Sequence, residues 1–254
     1  MLFLTRLQEN CRTYAGKPAI EYLLPEHTET VSYGQLETRV QQTMAALRSL
    51  GVQPGDRVAL QLPKCTPFIF LHLAIMRLGA ITLPLNPGYP ENELRYFLTD
   101  SGASLFFVDA ETQERLRPAL APIAALEKVV FLNTKDGVDF QELIAGDPVE
   151  NLPHPPVDPD QTALMIYTSG TTGRPKGAQI THGNLTANLN SLHEAWGWRD
   201  DDVLLHVLPI FHVHGLVVAL HGALNAGATA VLLPKFAPQQ ALQTMVEKPC
   251  TLFM

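Results

Sequence analysis

Residues 163–177 read Ala163-Leu-Met-Ile-Tyr-Thr-Ser-Gly-Thr-Thr-Gly-Arg-Pro-Lys-Gly177, and two opposite chemistries meet there. Ala163 to Tyr167 is an unbroken apolar run of strand length, the pattern of a strand covered on both faces of a parallel sheet. Thr168 to Gly177 then holds three glycines, four hydroxyl residues, two cations and no acid. Gly170, Gly173 and Gly177 let backbone turn sharply and approach a ligand closely. Successive free N–H groups in such a loop form an anion nest. The hydroxyls of Thr168, Ser169, Thr171 and Thr172 add donors, and Arg174 and Lys176 add positive charge. A flexible Gly/Thr linker has no need of two cations, a proline and a strand in front of it. The composition points to a polyphosphate.

Two standard phosphate motifs do not fit. A Walker loop needs G-x-x-x-x-G-K-[ST], but here Gly177 follows Lys176. A dinucleotide fingerprint needs G-x-G-x-x-G, and the loop has no G-x-G.

Upstream, strands and helices alternate. Ser32-Tyr-Gly-Gln35 has the spacing of a capping box, opening a helix with Leu36, Val40, Met44 and Leu47 on one face and Gly51 closing it. Strands are expected at Arg57–Leu62, Ile81–Leu85, Ser104–Val108 and Lys128–Leu132. Helices are expected at Thr66–Leu78, Glu91–Asp100 and Glu111–Ala125, the last interrupted by Pro118 and Pro122. Such alternation implies an α/β fold of mostly parallel sheets flanked by helices on both faces. Five prolines between Asp147 and Pro159 mark a linker, giving a first subdomain over 1–150 and a second over 151–254.

Bulk properties narrow the classes. The 254 residues are 46% hydrophobic and 17% charged, which excludes a disordered chain. The formal net charge of −7 lacks the basic excess of a nucleic-acid-binding domain. Cys11, Cys65 and Cys250 are scattered and odd in number, fitting reduced thiols in a cytoplasmic protein rather than zinc ligands. Met1 to Asn10 reads as an amphipathic helix, not a signal peptide. Val203 to Pro234 is mostly apolar, but His206, Pro209, His212, His214, His221 and Asn225 argue against a membrane span. Pro249 to Met254 carries no stop signal, and Cys250 to Met254 reads as a core strand.

The residues Tyr167-Thr-Ser-Gly-Thr-Thr-Gly-Arg-Pro-Lys-Gly177 resemble the phosphate-loop signature of the adenylate-forming superfamily: acyl-CoA synthetases, peptide-synthetase adenylation domains and luciferases. Thr181-His-Gly-Asn184 follows where that family turns from strand to helix, with Asn184 as a cap for Leu185, Leu189, Leu192 and Trp196. Arg77 to Asn86 and Leu208-Pro-Ile-Phe-His-Val-His-Gly-Leu216 are similar to further family blocks, so the resemblance spans residues 7–254. Within the family, malonyl-CoA synthetase-like acyl-CoA synthetases look most similar.

The resemblance implies a two-step reaction. A carboxylic acid attacks the α-phosphate of ATP, giving acyl-AMP and pyrophosphate, and coenzyme A then displaces AMP. Thr168, Ser169, Gly170, Thr171, Thr172, Gly173 and Lys176 would bind the nucleotide, with Mg²⁺ accompanying it. Lys176 is the expected electrostatic catalytic residue. His212 would stand beside the acyl group and the thioester path, with Phe211, Val213, His214 and Gly215 lining the acid site.

The histidines allow other readings. His212 and His214 would share one face of a strand, where a metal site would lack a nearby carboxylate or cysteine, and satisfied core histidines are a third option.

The family's Tyr-Gly-x-Thr-Glu block, its ribose-binding aspartate and its mobile C-terminal domain are not found in Gly177 to Met254. The chain is therefore expected to be the N-terminal portion of such an enzyme, inactive alone. The alternatives are an adenylation domain serving a carrier protein and a non-catalytic nucleotide-binding remnant.

Overall fold

Two mostly parallel sheets, each closed on one side by an antiparallel edge strand, organise the chain. The structure is a computed structural model describing residues 1–135, 138–146, 157–168 and 173–254. In chain order the helices are α1 (Phe3–Thr13), α2 (Tyr33–Ser49), α3 (Thr66–Arg77), α4 (Glu91–Ser101), α5 (Gln113–Leu120), α6 (Val138–Leu143), α7 (His182–Trp196), α8 (Gly222–Ala226) and α9 (Pro238–Glu247). The strands are β1 (Pro18–Leu23), β2 (Thr28–Ser32), β3 (Arg57–Gln61), β4 (Ile81–Pro84), β5 (Leu105–Asp109), β6 (Lys128–Leu132), β7 (Thr162–Thr168), β8 (Lys176–Thr181), β9 (Val203–His206), β10 (Thr229–Leu232) and β11 (Leu252–Phe253). A π-helix, His214–His221, precedes α8. Among the described residues, one sheet runs β11-β9-β10-β1-β2 and the other β6-β5-β3-β4-β7-β8. This is the expected α/β class.

The chain forms two compact units, residues 39–181 and residues 1–38 with 182–254. The boundary expected near residue 150 thus falls inside the first of these. The reason is topological: β7 follows the proline-rich stretch but pairs with β4, joining the sheet built by the preceding residues. Residues 147–156 of that stretch lie outside the described residues.

In the unit of residues 39–181, β3 is paired in parallel with β4 and β5. α3 is buried along its whole length, with Pro67 in its first turn, and Gly79 after it takes φ +71°. α4 lays Leu94, Phe97 and Leu98 into a core with Leu83, Leu85, Phe106, Val108 and Met165. Each such burial is worth roughly 1.5–3 kcal/mol. Arg57 tethers the end of α4, donating from Nε to the Ser101 carbonyl (3.0 Å) and from Nη2 to that of Gly102 (2.9 Å). Cationic donors on the last carbonyls of a helix stabilise its C-terminus. The helix expected over Glu111–Ala125 is shorter. A 3-10 turn at Ala110–Thr112 precedes α5, capped by Asp109, which accepts from the Glu111 N–H at 3.0 Å.

In the other unit, α1 buries Phe3, Leu4, Leu7 and Cys11 as its amphipathic pattern predicts. The capping box forms as read: Ser32 Oγ accepts from the Gln35 N–H (3.2 Å), and Gln35 Oε1 accepts from the Ser32 N–H (2.9 Å). The β1–β2 hairpin and α9 go beyond the alternation read from the sequence. α7 starts at His182, so Asn184 sits inside its first turn rather than capping it, and Trp196 at its far end is exposed. β11 lies at a sheet edge, where Phe253 is exposed, not in a core. Val203–Pro234 divides into β9, the π-helix, α8 and β10. No helix among the described residues is long and apolar enough to cross a membrane.

Candidate functional site

β7 and β8 form an antiparallel pair whose register sets Thr168 opposite Lys176 and Tyr167 opposite Gly177. The segment joining them therefore leaves the C-terminal end of β7, the end where open α/β sheets bind ligands. Thr168, Gly173, Arg174 and Lys176 are exposed there. Ser169, Gly170, Thr171 and Thr172 lie outside the described residues. The register brings the Thr168 and Lys176 positions together at the mouth of the pair.

α4 runs alongside. Tyr96 Oη donates to the Pro175 carbonyl at 2.7 Å, and the Arg174 guanidinium lies 5.5 Å from the centre of the Tyr96 ring. Tyr167 Oη donates to Asp100 Oδ2 at 2.7 Å. Burial, together with that bond, pushes the Tyr167 phenol well above its usual range, so it stays a neutral donor at physiological pH. Gly177 makes room for this arrangement: a Cβ there would lie 3.1 Å from Met165 Sδ and 3.3 Å from the Tyr167 ring. A cavity of about 610 Å³ opens beside the pair, lined by Asn92, Glu93, Arg95, Tyr96, Arg174 and Pro175 among others.

Residues 168–177 offer hydroxyl, ammonium, guanidinium and N–H donors and no carboxylate. That donor set fits phosphate oxygens. It does not fit a protein-held Mg²⁺, which takes oxygen ligands, carboxylates above all. Among the described residues no group of three or more His, Cys, Asp or Glu side chains is placed to hold a metal ion.

The histidine segment belongs to the other unit. β9 ends at His206, and the chain folds back through Pro209 into the π-helix. The His212 N–H meets the Pro209 carbonyl (3.4 Å), and the Leu216 N–H meets that of His212 (2.8 Å). His212 and His214 therefore do not share a strand face. The exchange of strand for turn follows from Gly215, whose Cα packs against the Pro209 backbone; a Cβ there would lie 2.1 Å from the Pro209 carbonyl oxygen. Buried His206 donates from Nε2 to the Gly215 carbonyl at 2.7 Å, since a carbonyl can only accept. His221 is also buried, stacked on Phe3 at 4.4 Å between ring centres. His212, Val213 and His214 are exposed, Phe211 is half-buried beside the His212 ring, and Gly215 is buried. The histidines thus split into two core residues and two displayed ones.

Tyr96 and Asp100 were not singled out by sequence. Their signal is the spacing Tyr-x-x-x-Asp, which places both on one helical face.

Comparison with known proteins gives a consistent picture. The family described as AMP-binding enzyme matches residues 7–254. Crotonobetaine/carnitine–CoA ligase of Salmonella arizonae is 36% identical over 229 residues, 86% of this chain and 43% of that protein. The mitochondrial malonate–CoA ligase ACSF3 of Mus musculus is 37% identical over 218 residues, 82% of this chain and 36% of that one. ATP-bound MatB from Rhodopseudomonas palustris shares the fold with a TM-score of 0.89 at 35% identity, covering 100% of this chain and 49% of MatB. The chain spans less than half the length of each of these relatives.

Proposed function

The chain belongs to the AMP-binding enzyme family, and from that premise we propose that it supplies the phosphate-gripping part of an ATP-dependent acid–thiol ligase of the acyl-CoA synthetase kind. The reaction joins a carboxylate to the α-phosphate of ATP with loss of pyrophosphate, then passes the acyl group to the thiol of coenzyme A. The observation that carries this reading is the β7–β8 mouth, where Thr168 and Lys176 face each other across a register-matched pair in a segment free of acids.

Catalysis of the first step needs the leaving pyrophosphate's charge met and the carboxylate aligned. Lys176 meets the charge; the hydroxyls and amides of residues 168–173 orient the phosphates. Mg²⁺ arrives with ATP and adds charge neutralisation; the loop contributes donors only. On the acid side we assign Phe211, His212, Val213, His214 and Gly215 to the wall of the acyl site, with His212 orienting the carboxylate or the thiol's approach. The relatives named for malonate and for crotonobetaine or carnitine support a small polar acid.

Calorimetry on the chain with inorganic pyrophosphate tests the grip. Measurable binding is expected, and Lys176→Ala weakens it at least about tenfold, the worth of a charge-assisted contact. Because Lys176 is exposed, the thermal midpoint stays within a few degrees. Unchanged affinity in Lys176→Ala would remove the assigned role. A second assay follows exchange of labelled pyrophosphate into ATP with malonate, crotonobetaine or carnitine present. The chain alone is expected to give none, because the family's adenine- and ribose-binding segments are not found in residues 177–254. Robust exchange would show that those segments are dispensable.

A further inference from the structure

The β7–β8 mouth has α4 as a neighbour, which makes polar contacts to both of its arms. α4 is fixed by three buried apolar side chains and by Arg57 on its terminal carbonyls. Tyr96, half-buried and packed against that core, and Asp100, exposed, lie four residues apart and hence on one face. Each reaches a different arm of the segment between the paired strands. Asp100 accepts from the hydroxyl of Tyr167, the residue before Thr168, at 2.7 Å. Tyr96 donates to the carbonyl of Pro175, the residue before Lys176, also at 2.7 Å, and its ring carries the Arg174 guanidinium at 5.5 Å.

We propose that Tyr96 and Asp100 are positioning residues for the phosphate loop, holding the arms that present Thr168 and Lys176. The inference rests on the phosphate-grip reading of residues 168–177. The geometry makes the coupling direct. The Pro175 carbonyl and the Lys176 N–H belong to one planar peptide unit, so fixing the carbonyl fixes the direction in which Lys176 enters β8. On the other arm, the tethered Tyr167 ring lies over Gly177, its register partner, and sets where Thr168 emerges. Arg174, exposed with its guanidinium 5.5 Å from the centre of the Tyr96 ring, stands beside Lys176 as the second cation of the mouth. A pre-set mouth spares the ligand the ordering cost that would otherwise weaken binding.

The test measures pyrophosphate affinity by calorimetry on the chain and on Tyr96→Phe, Asp100→Ala, Asp100→Asn, Lys176→Ala and the Tyr96→Phe/Lys176→Ala double variant. Tyr96→Phe keeps the ring beneath Arg174 and removes only the hydroxyl. It is expected to weaken pyrophosphate about three- to tenfold, the range of one hydrogen bond, with little change in thermal midpoint. Asp100→Ala should do the same, and Asp100→Asn, which can still accept from Tyr167, should restore most of the affinity. If Tyr96 acts through the presentation of Lys176, its effect shrinks below about twofold once Lys176 is alanine. Affinities within twofold of the parent for both Tyr96→Phe and Asp100→Ala would overturn the proposal, as would full additivity of Tyr96→Phe with Lys176→Ala. Failure of the phosphate reading looks different: the parent chain would not bind pyrophosphate, or Lys176→Ala would bind it as well as the parent.

Discussion

At Gly215 a methyl group would have to share space with backbone. The added Cβ would lie 2.1 Å from the Pro209 carbonyl oxygen and 2.9 Å from its carbon, atoms held by the turn out of β9 and unable to rotate away. Gly177 is crowded differently. Its nearest neighbours, at 3.1 and 3.3 Å, are the end of the Met165 side chain and the Tyr167 ring, which can give by a few tenths of an ångström. Gly215→Ala should therefore destabilise its unit by about 3 kcal/mol or more, and Gly177→Ala by about 1 kcal/mol, on the scale of overpacking costs. Urea unfolding at neutral pH measures both, and equal losses would contradict the distinction between rigid and yielding neighbours. The two glycines also show what single residues disclose. Gly177 was legible because it stands in a run whose composition announces a phosphate site. Gly215 was read only as lining of the acid site, because nothing in a linear pattern says that Pro209 folds back onto it.

Elements whose ends carry local chemistry were the easiest to read. β6 matches its expected limits, and α2 begins at the capping box that its sequence spells. That box gives a direct prediction. Ser32→Ala removes the acceptor for the Gln35 N–H and should cost about 1 kcal/mol in urea unfolding, while Ser32→Thr or Ser32→Asp should retain most of it. A loss below about 0.3 kcal/mol for Ser32→Ala would mean that the box adds nothing to packing. Elements defined by distant partners were harder. The π-helix at His214–His221 has no distinct period in a window so short, and its anchor, the bond from His206 Nε2 to the Gly215 carbonyl, joins residues nine apart. The role of α4 was hidden for the same reason. Its span was foretold, but Tyr96 and Asp100 contact residues more than sixty positions away.

Over the whole molecule, the sheet order was the least legible feature, since β1 pairs with β10 across more than two hundred residues and the alternation pattern carries no such information. A consequence of this long-range packing is that each unit buries a histidine in neutral form. In residues 39–181, His72 is fully enclosed in α3, and burial pushes its pKa down to about 3. In the other unit, burial pushes His182 at the start of α7 down to about 4, and its Nε2 has no hydrogen-bond partner among the described residues. Both values lie below the 6.5 of an unfolded histidine, so between about pH 4 and 6.5 these two side chains bind more protons unfolded than folded. The sign follows directly: the stability contributed by these two groups is complete above about pH 6.5 and is lost as pH falls toward their folded values. Within that window each histidine contributes a slope of up to about 1.4 kcal/mol per pH unit. A series of urea unfolding curves from pH 7.5 to 4.5 should show the decline. His182→Gln, which cannot take up a proton, should flatten that slope by up to about one proton's worth. A slope that persists in full in His182→Gln would place the acid sensitivity elsewhere.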